Sequence, residues 1–324
     1  MITKNIGISL GSDNTYIYVQ KENKIINFKT ILAIDISINE IVEVGEKAII
    51  LSEKGPSNII LKRPIKKGKI EDIDLTQRML MKVFKEHNIK NSITNPNVLL
   101  AYDNNYNEVE KSAFIETISG LGVKNIFTMD STKLIAIGIG INTSKAEGNM
   151  IVDIGYELTK IGVLSLNNVI EYKYIDIGSN TFDNDISDFL RKKYKITISN
   201  NQIEKLKQNI NKDNISIKGK NIITGLPKSL TIDKDEVLSC LKNSIINIIE
   251  EIKNLLGKIS PEIFNDISNK GIVITGGGSM LKGLREKIEE ELHIPILETV
   301  TPQENIIKGI KEVIDNDITQ ANKI

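Results

Sequence analysis

Two stretches in different halves of the chain open in the same way. Ile6-Gly-Ile-Ser-Leu-Gly-Ser-Asp-Asn-Thr15 runs as an apolar strand into a glycine turn, and Tyr16-Ile-Tyr-Val19 returns beside it. Met150-Ile-Val-Asp-Ile-Gly155 does the same, with Ile161-Gly-Val-Leu164 returning. A strand, a glycine turn and a return strand make a hairpin. Its recurrence predicts a duplicated unit whose two turns face each other across a cleft, with the boundary near residue 141. A third glycine turn lies in Gly271-Ile-Val-Ile-Thr-Gly-Gly-Gly-Ser-Met280, between a short apolar strand and a helix expected from Leu281. Glycine lets the backbone take positive φ and approach a ligand closely, and a helix N-terminus presents unpaired N–H groups. One such turn is as often a plain turn as an anion site. Three together would form a pocket lined by backbone N–H groups, which suits a nucleoside triphosphate.

Between these markers strands and helices alternate, the signature of an α/β fold. Further strands are predicted near 25–28 and 41–44, at Val98-Leu-Leu-Ala-Tyr102, at Ile126-Phe-Thr-Met129 and near 294–296. Helices are predicted from Asp74, as cap with Gln77 as its partner, to about Asn88, then from Glu108 and over 133–140. Later ones carry Phe182 and Ile186, Ile203 and Leu206, and a long apolar face from Leu241 to Leu256 that stops at Gly257 and Pro261. A last amphipathic helix starts at Glu304, and a small hairpin of 215–217 and 222–224 is expected to turn at Lys218-Gly-Lys220.

Composition excludes more than it suggests. With 324 residues the chain can bury two cores, and 42 basic against 42 acidic residues leave no global attraction to nucleic acid. Six cations between Lys54 and Lys69 read as a solvated face. Cys240, the single cysteine, excludes a disulfide framework and a thiolate metal site and fits a reducing cytoplasm. His87 and His293 lack neighbours at ligand spacing. No apolar run is long enough to span a bilayer, and Met1–Ile6 leads straight into a strand, so a soluble, unexported protein is expected. Asp153 is the best carboxylate for a Mg²⁺ ion, with turn capping as its plainer role.

The chain resembles the MreB family of bacterial actin homologues along nearly its whole length. The most specific match is Ile217-Lys-Gly-Lys-Asn-Ile-Ile-Thr-Gly-Leu-Pro-Lys-Ser229, beside the family's Arg-Gly-Arg-(Asp/Asn)-Leu-x-x-Gly-(Leu/Val)-Pro. Asn58–Pro64, Glu108–Lys111, Arg191–Tyr194 and Ser260–Glu262 leading into Gly271–Gly278 support it in the right order. The resemblance implies an actin-like α/β fold of two lobes, each with an RNase-H-like sheet core flanked by helices, and ATP in a cleft between them. The lobes would span 1–140, with a small subdomain inserted at about 29–63, and 141–324, with one at about 180–236. It also implies filaments that guide peptidoglycan synthesis and cell shape at the inner membrane face, with paralogues and cell-wall elongation proteins as partners.

Mapped onto this chain, the nucleotide would be held by Gly11, Ser12, Asn14, Thr15, Asp153, Gly155, Thr159, Glu204, Lys207, Gly276, Gly277, Gly278 and Ser279. The family's first loop, Asp-Leu-Gly-Thr-Ala-Asn-Thr, here reads Ser9-Leu-Gly-Ser-Asp-Asn-Thr15, so the acid near Mg²⁺ is replaced by Ser9. The second, Asp-Ile-Gly-Gly-Gly-Thr-Thr, reads Asp153-Ile-Gly-Tyr-Glu-Leu-Thr159 and brings bulk and a negative charge toward a phosphate. At the position of the glutamate thought to place the attacking water stands Ser131, beside Asp130. Glu204-Lys-Leu-Lys207 and Gly276-Gly-Gly-Ser279 keep the ribose and base side. The expectation is weak ATP binding, with Mg²⁺ through Asp153, and slow or absent hydrolysis. The alternatives are an ATPase with a relocated carboxylate at Asp130 or Glu157, and a non-polymerising adaptor of another family member. The family's membrane loop carries a Leu-Phe pair where this chain has Ile93-Thr-Asn-Pro96, so only weak membrane attachment is expected.

Overall fold

The computed structural model describes residues 5–53, 55, 57–89, 96–210 and 214–323. Most of the Ile93–Pro96 stretch, the residues before Asn5 and Lys54 lie outside them. The chain forms two compact units, Met1–Asn142 with Glu304–Ile324, and Thr143–Gln303.

The first unit is built on β1 (Asn5–Leu10), β2 (Asn14–Val19), β3 (Lys24–Lys29), β9 (Asn97–Tyr102) and β10 (Asn125–Asp130). Between β3 and β9 lie β4 (Leu32–Asp35), β5 (Glu40–Val44), α1 (Glu46–Glu53), β6 (Ile59–Lys62), β7 (Ile65–Lys66), β8 (Lys69–Ile70) and α2 (Ile73–Glu86). After β9 come α3 (Glu108–Ser119) and, directly following β10, α4 (Ser131–Gly138). The main sheet runs β10-β9-β1-β2-β3: β2 pairs antiparallel with β1 and β3, while β9 is parallel to both β1 and β10. Sheets with parallel strands are covered on both faces, so their strands read as continuous apolar runs. Val98 and Leu100 accordingly face a core with α2 and α3, and Leu99 and Phe127 face a second core. Strands β5-β4-β6 form a separate small sheet on α1, with Ile31, Ala33 and Ala48 between them.

The second unit repeats the plan with β11 (Asn149–Ile154), β12 (Thr159–Ser165), β13 (Asn168–Ile175), β17 (Ile272–Thr275) and β18 (Ile296–Glu298) in the order β13-β12-β11-β17-β18. Again the first three are antiparallel and the last two parallel to β11. Its insertion holds α5 (Ser179–Phe189), β14 (Ile196–Thr197), α6 (Asn200–Gln208), β15 (Asn214–Asn221) and β16 (Pro227–Asp233). Helix α7 (Lys234–Leu256) follows, its Leu241, Ile245, Ile248 and Ile252 in the core, then α8 (Pro261–Lys270) and α9 (Leu284–Leu292).

Residues 304–324, read from chain order as part of the second half, belong to the first unit. Helix α10 (Asn305–Asn316) supplies the second core there through Ile307, Ile310 and Ile314, and β19 (Asn322–Lys323) pairs with β10. Three glycines make this packing fit. A Cβ on Gly7 would lie 2.0 Å from Ile310 Cγ2, on Gly138 2.1 Å from the Asn305 carbonyl, and on Gly309 1.8 Å from the Leu134 carbonyl. Tyr18 Oη donates to Asp315 at 2.8 Å, and Lys311 Nζ donates to the same carboxylate at 2.6 Å.

Three local expectations need correction. The cap of α2 is Asp72, which accepts from Leu75 N at 2.9 Å, while Asp74 lies inside the helix and meets Arg78 at 3.4 Å. The 214–233 hairpin turns at 222–226 rather than 218–220, because the Asn221 side chain accepts from Ile223 N and Thr224 N, and Gly225 takes φ +73°. Ile223 is thus 74% exposed, an apolar residue on a turn. Helix α9 starts at Leu284 rather than Leu281, since Gly283 at φ +85° precedes it and the glycine turn first forms a 3₁₀ turn over Gly277–Met280.

Gly309→Ala should separate α10 from α4, because the clash is with backbone that cannot rotate away. A loss of about 2 kcal/mol is expected, as for other overpacked cores. Gly55→Ala, where nothing lies within 4 Å, is unsuitable as a neutral control because of its φ of +83°. Lys282→Ala on the exposed surface serves instead, and equilibrium urea unfolding compares the two.

Candidate functional site

In the first unit the turn after β1 is closed by the Gly11 N–H donating to Asn14 O at 3.1 Å, and a Cβ on Gly11 would lie 2.6 Å from that oxygen. The side chains around it divide into two groups. Thr15 is fully buried and shares a 2.9 Å hydrogen bond with Thr30, so it joins β2 to the next loop. Asp13 is paired with Lys29 at 2.6 Å and Arg63 at 3.2 Å and accepts from Asn14 Nδ2 at 3.1 Å. Arg63 also donates to the Ser12 carbonyl at 2.9 Å, and Ser12 Oγ accepts from the Gly68 N–H at 3.0 Å. Cations of the basic run at 54–69 are thus used locally: Arg63 on Asp13, Lys69 on Glu110 and Lys66 near Glu71.

Asp130 and Ser131 stand where β10 passes into α4. Asp130 Oδ1 caps that helix, accepting from Thr132 N at 2.8 Å and Lys133 N at 3.2 Å. A carboxylate at a helix start satisfies orphan N–H groups and meets the positive dipole end. Ser131 is buried and donates its hydroxyl to Asp103, a residue the sequence did not bring forward.

In the second unit Gly155 N–H donates to Leu158 O at 2.8 Å and closes the turn after β11. The carbonyls of Gly155 and Tyr156 then accept from Ser179 N at 2.9 Å and Asn180 N at 2.8 Å. The first N–H groups of α5 are therefore taken up by the turn itself. Gly178 permits this contact, since a Cβ there would sit 2.4 Å from Tyr156 O. Thr159 is fully buried and donates to Ile177 O at 2.7 Å, which makes it a strut behind the turn.

The triple glycine packs against the same strand end. Gly276, at φ +82°, would place a Cβ 2.4 Å from both Asp153 Oδ1 and Ile154 O, and Gly278 would place one 2.3 Å from Ile154 Cγ2. Gly277 is looser, its nearest atom being Gln303 Nε2 at 3.4 Å. Ser279 Oγ donates to Gly276 O at 2.8 Å, and Gly276 N and Thr275 Oγ both donate to Pro302 O. Asp153 pairs in register with Thr275, so Asp153, Gly155 and Gly276–Ser279 meet at the carboxyl ends of the parallel strands β11 and β17. In open α/β sheets that edge is where ligands bind.

Glu204 and Lys207 lie on α6. Lys207, 9% exposed, reaches both Asp183 on α5 and Glu204 at 2.7 Å. Burial pulls its pKa down, but hydrogen bonds to Asp183 and Glu204 outweigh it and hold the ammonium above its ordinary value of 10.5. Cys240 is pushed up to about 12 by burial and then by Asp185, which leaves an inert thiol. Among the described residues no group of three or more His, Cys, Asp or Glu could hold a metal, and no helix is long and apolar enough to cross a membrane.

Because the folded-state pKa of Lys207 is raised, its ion pairs stabilise the fold fully below 10.5 and are lost as pH rises through the folded value. Lys207→Met should therefore cost about 1–3 kcal/mol at neutral pH. The gap to the wild type should close in the alkaline range, read by denaturant unfolding across a pH series.

Comparison with known proteins agrees with this architecture. A family model described as MreB/Mbl protein matches residues 3–322. The cell shape-determining protein Mbl of Bacillus subtilis (strain 168) is 31% identical over 323 residues, covering 98% of this chain and 97% of that protein. The cell shape-determining protein MreB of Escherichia coli (strain K12) is 31% identical over 321 residues, covering 95% and 92%. Among solved structures, MreB5 of Spiroplasma citri bound to AMPPNP superposes with a TM-score of 0.92 at 26% identity, covering 99% of both chains. The MamK double helical filament shares the fold alone, with a TM-score of 0.80 at 16% identity over 97% of this chain and 99% of that one.

Proposed function

Since the chain belongs to the MreB/Mbl family of actin-like, cell-shape-determining proteins, we propose that it is a filament subunit that binds ATP and hydrolyses it slowly or not at all. In this reading it organises peptidoglycan synthesis from the cytoplasmic face of the membrane, assembling with further copies of itself or with a paralogue. The observation that carries nucleotide binding is the meeting of Asp153, Gly155 and the Gly276–Ser279 turn at one strand edge of the second unit. Likeness to a relative solved with AMPPNP supports it.

Each unit offers donors of its own: the second has the backbone N–H groups of Gly277 and Gly278, and the first has the Ser12 hydroxyl, which accepts from Gly68 and keeps a proton to donate. Asp153 fits a Mg²⁺ ion that keeps most of its ligands as water and phosphate oxygens, because Mg²⁺ in nucleotide sites takes only one or two carboxylates. Such an ion would neutralise phosphate charge during phosphoryl transfer. Weak binding follows from what occupies the second turn. Its carbonyls are turned onto α5, and Tyr156 and Glu157 replace two glycines of the family pattern. Slow turnover follows from a serine at 131 in place of a carboxylate. Asp130 is occupied in capping α4, which argues against it as the substitute.

Sedimentation across a protein concentration series, without nucleotide, with ATP and with AMPPNP, tests assembly. A critical concentration lowered equally by both nucleotides is expected, since binding alone would drive polymerisation. Absence of a pellet under every condition would replace the filament reading by that of a non-polymerising adaptor, which should pellet only with its partner. Gly276→Ala should weaken binding of a fluorescent ATP analogue about tenfold or more, because the added methyl would push Asp153 away from the turn.

A further inference from the structure

The carboxyl ends of three parallel strands in the first unit are joined by a run of hydrogen bonds. Strands β9 and β10 pair in register up to Tyr102 and Asp130, so the next residues, Asp103 and Ser131, leave the sheet side by side. Both are 2% exposed. The Ser131 hydroxyl donates to Asp103 Oδ1. On the other side, Tyr106 Oη lies 3.2 Å from Asp103 Oδ2 and donates to Gly68 O at 2.6 Å. The Gly68 N–H then donates to Ser12 Oγ at 3.0 Å, in the turn that follows β1. From Ser12 to Ser131 the path is continuous and lies within one unit.

An acid in a dry site is costly unless its oxygens are bonded, and a strand end can be closed more cheaply with an uncharged residue. Asp103 is buried at the one edge of this sheet where α/β folds bind ligands, and its partner is the serine that stands at the family's glutamate position. We propose that Asp103, acting through the Ser131 hydroxyl, supplies the carboxylate that orients the attacking water in ATP hydrolysis by this chain. The inference rests on the nucleotide-binding reading above. With its proton directed to Asp103, Ser131 Oγ presents lone pairs that can accept a hydrogen bond from water. As the water oxygen bonds to the γ-phosphorus, the bond from phosphorus to the bridging oxygen breaks and its electron pair leaves with ADP. One water proton passes to Ser131 while Ser131's own passes to Asp103, and the relay returns a proton to the phosphate released. Asp103 is a positioning residue in this scheme. A carboxylate working through an intervening hydroxyl is a weaker device than one in direct contact, in keeping with slow turnover.

The test combines binding of a fluorescent ATP analogue, single-turnover release of labelled phosphate and thermal unfolding on the full chain and its variants. Asp103→Asn and Ser131→Ala should bind within about twofold of wild type and lose on the order of tenfold or more in the hydrolysis step. Ser131→Glu should give no gain, because two carboxylates would meet in a buried site and repel. The double variant Asp103→Asn with Ser131→Glu should recover at least the wild-type rate, a rescue that a merely structural bond would not produce. Asp103→Asn or Ser131→Ala binding and hydrolysing as wild type would overturn the proposal, as would a wild type that binds without hydrolysing or a Ser131→Glu variant that alone accelerates. Failure of the wild type to bind the analogue would overturn the nucleotide reading itself, and this role with it.

Discussion

Burial of a partly parallel sheet on both faces is the constraint from which the rest of each unit follows. In the first unit, apolar residues on one face of β1, β2, β9 and β10 meet α2 and α3, and those on the other face of β2, β9 and β10 meet α4 and α10. A parallel pair needs a long crossover between its strands, so helices are unavoidable, and the turns at the carboxyl edge are left as the place where backbone can face a ligand. Gly7, Gly138 and Gly309 serve this same burial. They remove the side chains that would hold α10 off the sheet and off α4.

The polar residues of the candidate site follow a second logic. Several that share the strand edges are committed to the protein's own interior. Thr15 bonds Thr30, Thr159 bonds Ile177 O, Asp13 neutralises Lys29 and Arg63, and Asp130 caps α4. Lys207 is held by two acids despite its burial. In a dry environment each of these bonds satisfies a group that would otherwise cost free energy. Gly11, Gly155 and Gly276 likewise commit their own N–H groups, to Asn14 O, Leu158 O and Pro302 O. A side-chain change at these turns therefore need not unfold the chain, because the bonds that close them run through the backbone.

Much of this was legible in the chain itself. The apolar run Val98-Leu-Leu-Ala101 marked a strand covered on both sides, and the paired strand–glycine–strand openings marked the duplication seen in the two equivalent sheet orders. Less legible were elements without a strong period. Strand β13 alternates exposed and half-buried residues at a sheet edge, so it carries no continuous apolar signal. The hairpin tip at 222–226 was obscured because Ile222 and Ile223 look like strand residues, while the short-range bonds of Asn221 decide the turn. Asp103 was silent because a lone acid after a strand has the same appearance whether it caps, pairs or acts.

The sequence alone therefore determined the class of fold, the duplication, the family and the glycine turns, because these depend on local periodicity and on residue types that few backbone conformations admit. Only the tertiary structure decided which unit the C-terminal helix joins and which residue of a turn is used internally. It alone paired Ser131 with Asp103, 28 positions away along the chain. Those outcomes depend on contacts between segments distant in sequence, and such contacts are set by how helices settle on a sheet rather than by any pattern within a single stretch.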